Sequence, residues 1–196
     1  MVCSIKCICN LYNEDFKYFP NFKYINWIDI KTWEFKELSL ASRDYILSYF
    51  GQPRFFQNIE FMDNAYEVIS YLLKTGYEIC IVSMGTLQNL LQKQMWIEVY
   101  LPDIKFIGID MSKYKDKSHI DMSDGILIDD EKRYLDNNNA KINICFGDEY
   151  EWNKQWNGIR CYNWYDIKRY IEKLEGDNEN FRNNQYKPCV SQRTVK

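Results

Sequence analysis

The sequence is poor in the residues that several common kinds of functional site require. It has a single histidine, His119, and no C-x-x-C pair among its seven cysteines. These shortages argue against a histidine-rich zinc site and against a Ser-His-Asp triad. The odd number of cysteines, without a secretion signal, favours reduced thiols, and the cluster Cys3, Cys7 and Cys9 lacks the histidines that usually complete a metal site. The chemistry must therefore rest on carboxylates, hydroxyls and lysines.

The sequence also lacks an excess of one charge and any long apolar run. Lys and Arg number 25 and Asp and Glu 28, a net charge of −3, with no block of one sign that would bind polymeric nucleic acid or a membrane surface. No stretch approaches the roughly 20 apolar residues that cross a bilayer, and the N-terminus has no secretory pattern. We expect a soluble, cytoplasmic protein whose partner is a small molecule; the pattern leaves the oligomeric state open.

The remaining composition is typical of one folded domain. The chain has 196 residues, of which 46% are hydrophobic and 17% aromatic, enough to bury a core in a single domain. We expect this domain to cover residues 1–175, and residues 176–196, which have no hydrophobic period, to form a flexible tail. Aromatic residues crowd residues 11–62 and predict a lead-in and a small cap of short helices and loops. Taken singly, most of these aromatic residues are better explained as core.

From residue 63 to residue 175 the sequence alternates between helical and strand patterns. A helix ending before Gly76 and a last helix over 164–176 are predicted from apolar residues at helical spacing. Between them, a helix that begins after Thr86 is predicted to turn inward Leu87, Leu90, Leu91 and Met95. Short apolar strands are predicted at residues 77–83, 104–109, 125–128 and 141–146. This alternation predicts an α/β fold with an open parallel sheet and helices on both faces.

The ends of the predicted strands carry the candidate ligand-binding residues, because ligands of open α/β sheets bind beyond the carboxyl ends of the strands. Ser83, Met84 and Gly85 follow the first strand and lead into a helix, whose free N–H groups and dipole favour a phosphate. Asp129 and Asp130 follow the third strand, and two adjacent carboxylates there favour a hard cation such as Mg²⁺. The alternative is that both aspartates are solvated and cap the next helix.

Lys117 lies in the connection that precedes the strand ending at these two aspartates. A lysine beside a phosphate and a metal-bound carboxylate can neutralise charge that builds on a transferring phosphoryl group. Considered alone, it is a surface lysine. The order of Ser83, Lys117 and the aspartate pair along the chain strengthens the case for a catalytic role.

These residues carry a resemblance to a known family. From about Phe55 to Leu174, through PRFFQNIEFMDNAYEVISYLLKTGYEICIVSMGT, the lysine of DKSHIDMSDG and ILIDD, the chain resembles the bacterial and phage deoxyribonucleotidase type of 5′-nucleotidase in the haloacid dehalogenase superfamily. LYNEDF and DIKTWEF resemble the segment leading into that family's cap. The resemblance implies a Rossmannoid parallel sheet and Mg²⁺-dependent dephosphorylation of (deoxy)nucleoside monophosphates. It assigns phosphate binding to Ser83, stabilisation of the phosphoaspartyl intermediate to Lys117, and Mg²⁺ binding to Asp129 and Asp130.

One part of the family pattern is missing. The family begins with a central strand that ends in Asp-x-Asp, whose first aspartate is the nucleophile, whereas this sequence has only MVCSIKCICN before LYNEDF. Glu14 and Asp15 stand where the resemblance places a helix, so they are interpreted as structural. The nucleophile is therefore unknown, and the loss of a central strand predicts a gap in the sheet unless residues 2–9 pair there as a strand.

Two functions from different classes follow from this pattern. The first is a Mg²⁺-dependent 5′-nucleotidase, and the alternative is a non-catalytic or truncated remnant that binds phosphate or nucleotide without turnover. For either function, the aromatic cap is expected to contact the base, with Phe55, Phe56 and Trp33 as candidates for stacking. Because adjacent residues rarely face one ligand together, one of the two phenylalanines is expected to stack and the other to pack in the core.

Overall fold

The computed structural model describes residues 1–177, which form a mixed α/β structure. After residue 64 the chain forms parallel strands and helices, although the predicted alternation is broken where two strands follow each other without a helix between them. The helices of the described part are α1 (Ser4–Phe16), α2 (Arg43–Ser48), α3 (Pro53–Asn58), α4 (Ala65–Lys74), α5 (Leu87–Tyr100), α6 (Lys132–Asp136) and α7 (Trp164–Asp177). The strands there are β1 (Cys80–Gly85), β2 (Lys105–Asp110), β3 (Ile126–Asp129), β4 (Ile142–Phe146) and β5 (Ile159–Cys161). None of the helices in residues 1–177 is long and apolar enough to cross a bilayer.

The strands of the described residues form two sheets that are not hydrogen-bonded to each other. One sheet pairs β1 with β2, and the other has the order β3-β4-β5; all pairings are parallel. In the first sheet Ser83 lies opposite Gly108, and in the second Asp129 lies opposite Cys145. The expected gap is therefore present, between β1 and β3. The sequence pattern missed β5, a strand of three residues with too few positions to show alternation.

Helices α4 and α7 pack against each other and follow their predicted boundaries closely. On α4, Val68 and Leu72 are buried at the spacing of one helical face, and Gly76 follows the helix with φ of +96°. That left-handed conformation suits glycine, which has no Cβ to clash. On α7, Ile167 and Ile171 are buried. The helix continues through Asp177, so part of the predicted tail is helical, and residues 178–196 lie outside the described residues.

The prediction of which face of α5 points inward was wrong. Leu90 is buried, but Leu87, Leu91 and Met95 are 65%, 62% and 59% exposed. Trp96 and Ile97 are buried in their place. Helix α5 has two apolar faces. The face that carries Trp96 packs inward because the Trp96 ring packs against the ring of Phe61, with a centroid distance of 4.9 Å. The predicted N-cap is confirmed, since the Thr86 hydroxyl accepts a hydrogen bond from the backbone N–H of Asn89 at 3.3 Å.

The N-terminal segment does not form the strand that would have closed the gap. Residues from Ser4 onward are helical in α1, because Ile8, Leu11 and Tyr12 follow helical spacing and are all buried. Only Val2 makes an isolated antiparallel bridge, with Phe61. Helix α1 thus lies outside both sheets.

The carboxylate of Asp15 on α1 is held by neighbouring side chains, and the thiols of Cys7 and Cys9 on the same helix are buried. Asp15 binds Arg54 and accepts a hydrogen bond from the Tyr49 hydroxyl at 2.8 Å, in agreement with its structural interpretation. Burial raises the pKa of the Cys7 thiol to about 11 and that of Cys9 to about 12. Both thiols are therefore protonated at neutral pH, which makes them poor nucleophiles.

Candidate functional site

A cavity of about 1730 Å³ lies between the two sheets and opens toward the cap. We call the part between β1 and β3 the slot. Its walls are the facing edges of those two strands, and its carboxyl end contains every phosphate and metal candidate from the sequence. Those lining residues are Ser83, Met84, Gly85, Lys117, Asp129 and Asp130. The structure therefore brings together side chains that lie up to 47 positions apart in the chain.

Lys117 crosses the slot from one sheet to the other. Its ammonium group contacts Oδ2 of Asp129 on β3 and donates a hydrogen bond of 3.0 Å to the carbonyl oxygen of Val82 on β1. The Lys117 and Asp129 side chains are only 7% and 8% exposed. The other carboxylate oxygen of Asp129 accepts a hydrogen bond of 2.9 Å from the backbone N–H of Glu131. Lys117 is therefore a buried, positioned cation rather than a surface lysine.

Lys93 is a functional candidate that the sequence interpretation missed. Its ammonium group donates hydrogen bonds of 2.7 Å to the Ser83 hydroxyl and 3.1 Å to the Met84 carbonyl oxygen. Burial, and then the positive charge of Lys117, lowers the pKa of Lys93 to about 8. The signal in the sequence was a polar pair, Asn89 and Lys93, four residues apart on one face of a predicted amphipathic helix.

The start of α5 is fixed by close contacts with the strand end and with the cap. A Cβ on Gly85 would lie 2.2 Å from Oδ1 of Asn89, so only glycine fits there without a shift of Asn89. The amide of Asn89 donates to the carbonyl oxygen of Phe50 at 2.6 Å, and the amide of Gln88 donates to that of Gly51 at 2.9 Å. These bonds hold the first turn of α5, with its free N–H groups, at the mouth of the cavity.

Asp130 differs from Asp129 in its surroundings. Burial, and then the negative charge of Asp129, raises the pKa of Asp130. The amino group of Met1 and the ammonium group of Lys117 oppose this shift without cancelling it. The backbone carbonyl oxygen of Asp130 accepts a hydrogen bond of 3.1 Å from the amide of Asn153, which fixes the turn after β3. Asp130 is exposed on the wall of the open cavity, so its carboxyl is accessible to a cation beside the carboxylate of Asp129.

The aromatic candidates occupy two environments. Phe55 is 1% exposed and packs between Phe50 and Phe56, and neither Phe55 nor Phe56 lines the cavity. Stacking by either phenylalanine would need this packing to change, so the expectation passes from them to Trp33, which does line the cavity. The Trp33 ring lies 4.8 Å from that of Trp152.

Trp152 continues the aromatic surface toward the second sheet. Its ring is stacked on that of Tyr150 at 4.5 Å with an interplanar angle of 5°. We call Trp33, Trp152 and Tyr150 the aromatic wall; all three line the cavity. Sequence reasoning missed Tyr150 and Trp152 because they follow β4, far along the chain from the cap.

With this geometry in place, comparison with known proteins identifies the family. Residues 3–175 match the family described as 5′ nucleotidase, deoxy (Pyrimidine), cytosolic type C protein. The chain belongs to this 5′-nucleotidase family. Membership supports a nucleotidase phosphohydrolase activity on small nucleotides. No curated protein matches the chain significantly.

Proposed function

We propose that the carboxyl end of the slot is the phosphate site of a Mg²⁺-dependent 5′-nucleotidase for (deoxy)nucleoside monophosphates. The observation that carries the proposal is the buried Lys117, held between Asp129 and the Val82 carbonyl beside the hydroxyl of Ser83. A buried ammonium group placed where phosphate charge would develop is the arrangement that phosphoryl transfer needs. The family match independently supports a nucleotidase.

Each residue at this end has a distinct role in the proposal. The hydroxyl of Ser83 and the free N–H groups at the start of α5 bind the phosphate oxygens. Lys117 stabilises negative charge on the transferring group. Lys93, which holds the Ser83 hydroxyl, adds a second positive charge and orients that hydroxyl.

The donor set at the end of β3 fits Mg²⁺. Asp129 and Asp130 would supply the two protein carboxylates, and residues 1–177 place no third His, Cys, Asp or Glu side chain with them in a metal-binding group. Mg²⁺ commonly binds one or two carboxylates and fills its remaining positions with water and substrate phosphate. When bound, the ion would neutralise charge on the phosphate and on the two adjacent carboxylates.

A second candidate function is binding of nucleotide without turnover. The slot-facing strand β1 (Cys80–Gly85) carries no carboxylate, and the described N-terminal segment forms α1 instead of a strand with an acidic end. A phosphate site without a positioned nucleophile retains only binding and electrostatic stabilisation. We therefore predict that this chain alone binds (deoxy)nucleoside monophosphates with little or no phosphatase activity.

Calorimetric titration with deoxynucleoside monophosphates and with inorganic phosphate, with and without Mg²⁺, tests the binding step. Asp130→Asn should remove the Mg²⁺ dependence and leave the metal-free protein equally or more stable, because the repulsion between two adjacent carboxylates is relieved. Asp136→Asn, at an exposed ion pair outside the cavity, is the control. A Mg²⁺ response unchanged in Asp130→Asn would assign the aspartates to helix capping.

Two further measurements separate the candidate functions and test the aromatic wall. A phosphatase assay with excess Mg²⁺ distinguishes turnover from binding, and normal turnover by purified protein would mean that another carboxylate attacks. Trp33→Ala should weaken nucleotide binding by about 1 to 3 kcal/mol while leaving phosphate binding nearly unchanged, because only the base stacks. Phe56→Ala, outside the cavity, is the matched control.

A further inference from the structure

The outward face of α5 carries a row of apolar side chains. Leu87, Leu91, Met95 and Val99 follow one another at intervals of four residues and are 65%, 62%, 59% and 71% exposed. Residues four apart lie next to each other on a helix surface and form a ridge. We call these four side chains the α5 ridge. The buried side of the helix, which includes Ile97, points away from it, so the ridge faces solvent in residues 1–177.

A hollow lies beside the ridge, between α5 and β2. Its volume is about 390 Å³, and its lining is apolar apart from one amide side chain: Leu87, Leu90, Leu91, Gln94, Phe106 and Gly108. The hollow depends on Gly108, because a Cβ at that position would lie 3.3 Å from the Phe106 ring and 3.4 Å from the side chain of Leu90. An apolar side chain of another molecule can therefore enter the hollow next to the ridge.

Charge is almost absent from this surface. The charged residues of α5 are Lys93 and Glu98. The ammonium group of Lys93 bonds Ser83 on the inner side of the helix, and the Glu98 carboxylate accepts a hydrogen bond of 2.9 Å from the amide of Gln94. A nucleic acid or an anionic membrane would need clustered lysine or arginine side chains here. The surface instead suits an apolar protein surface, and it meets a copy of itself without repulsion between like charges.

The exposed area of the ridge is enough for contact with a second copy. A biological interface buries at least about 1,000 Å² in total over both partners. At roughly 100 Å² of apolar surface for each largely exposed side chain, the ridges of two copies supply about 800 Å². The polar side chains at the margin of the ridge, Gln94 and Glu98, add to this area.

We infer that the α5 ridge is the interface of a homodimer, in which α5 packs antiparallel against α5 of a second copy of this chain. A two-fold contact uses the same surface of both copies. With the axis midway between Leu91 and Met95, Leu91 contacts Met95 of the partner subunit, and Leu87 contacts Val99 of the partner subunit. Every ridge residue thus gains an apolar neighbour.

The shape of the surface supports this arrangement. Ridges of four-residue spacing on two helices interleave when the helix axes cross at about 50°. In that packing Met95 of the partner subunit reaches Leu91, which is a wall of the hollow. The same surface therefore carries both the side chain that projects and the hollow that receives it. This inference goes beyond the proposed nucleotide site, because it concerns association of the chain with itself.

Sedimentation equilibrium of the full chain tests the association. We expect a reversible dimer, of twice the chain mass of 23.8 kDa, at micromolar concentrations. Leu91→Glu places a carboxylate against an apolar side chain of the partner subunit and should raise the dimer dissociation constant at least about tenfold. Ile28→Glu makes the same change at a side chain that is 51% exposed in the cap, and it should leave the dissociation constant unchanged.

A mixture of two variants tests the antiparallel register. Leu91→Glu and Met95→Lys should each weaken the dimer when studied alone. Mixed together, they should form a heterodimer at least several-fold tighter than either homodimer, because the new carboxylate of one chain then contacts the new ammonium group of the other. Neither chain carries both substitutions, so a pair within one helix cannot produce this recovery. A fluorophore on one variant lets sedimentation follow the heterodimer.

Three results would overturn the inference: a chain that stays monomeric, a chain that associates without limit, or a dimer that neither single variant weakens. A mixture no tighter than the separate variants would overturn the antiparallel packing. Circular dichroism checks that the variants are folded, as expected for replacements at exposed positions. Nucleotide and Mg²⁺ are left out of every measurement, so failure here leaves the proposed nucleotide site untouched, and the reverse also holds.

Discussion

Strands β1 and β4 have similar apolar sequences but different surroundings. Strand β4, INICF, lies between β3 and β5, and its residues Ile144 and Cys145 are 0% exposed. Strand β1, CIVSMG, pairs with β2 alone, and none of its residues is fully buried. Since both strands are apolar, the difference in burial comes from the number of neighbours. The sequence of β1 is that of an interior strand with one neighbour too few.

The charged side chains of the candidate site lie beside the edge of β1 that has no neighbouring strand. The hydrogen bonds of Lys93 and Lys117 go to β1, and the carboxylate held by Lys117 belongs to β3. Strand β4 instead has a neighbouring strand on each edge, and the cation nearest its end, Arg160, bonds the carbonyl of Gly147 in the following turn at 3.0 Å. We therefore expect the functional residues to lie at the open edge of β1. Variants can measure how much the contacts at this edge contribute to the free energy of unfolding.

The largest effect is expected from the ion pair that crosses the slot. Lys117→Met should lower the free energy of unfolding by about 3–5 kcal/mol, because it leaves Asp129 buried without its cation and next to Asp130. Lys132→Met removes an exposed pair with Asp136, at 32% and 42% exposure, and should cost about 1 kcal/mol or less. Urea unfolding of both variants measures the difference. Equal costs would mean that water screens the slot as it does the surface.

The next effect concerns the apolar residues of the two strands themselves. Ile144→Ala on β4 should cost about 2–5 kcal/mol, because a fully buried side chain leaves a cavity. Ile81→Ala on β1 should cost about 1 kcal/mol, because that side chain is only half-buried. Urea unfolding again gives both values. If Ile81→Ala cost as much as Ile144→Ala, the two strands would be equally packed and the comparison would fail.

The sequence predicted the elements on the closed side of the molecule better than those on the open side. The strand at 141–146 and the helix from residue 164 were found because their apolar residues follow a local period that tertiary packing preserves. At α5 the prediction failed because two apolar stripes competed, and packing of Trp96 on Phe61 selected between them. Helix α1 was mistaken for a possible strand because its cysteines and small residues obscured the helical spacing.

The candidate site was predictable where residues follow strand ends, and unpredictable where they reach it from elsewhere. Ser83, Asp129 and Asp130 were identified by position alone, and the structure places them in one cavity. Lys93 comes from the interior of a helix, and Trp152 from the loop after β4. Such residues come together only through the topology of the fold, so no local sequence pattern predicts that they share a site.

The smallest expected effect is the pH dependence caused by Lys93. Its pKa is lowered from 10.5 to about 8 in the folded protein. Between these values the unfolded chain binds more protons than the folded one, so stability rises with pH through this window. The thiols of Cys7 and Cys9 act in the opposite direction above pH 9, because their pKa values are raised from 9.0. The effect of Lys93 is therefore clearest between pH 7 and pH 9.

Over that interval the protein should gain about 1 kcal/mol of stability relative to the Lys93→Met variant, since one pKa unit corresponds to about 1.4 kcal/mol. The Met1 amino group, whose pKa is lowered by burial, titrates in both proteins and cancels in the difference. Lys113→Met, at a lysine 71% exposed, should keep the slope of the parent protein. Parallel stability curves for the parent and Lys93→Met would show that the ammonium group of Lys93 is hydrated. The open edge of β1 would then be a solvated edge rather than an interior strand exposed by a missing neighbour.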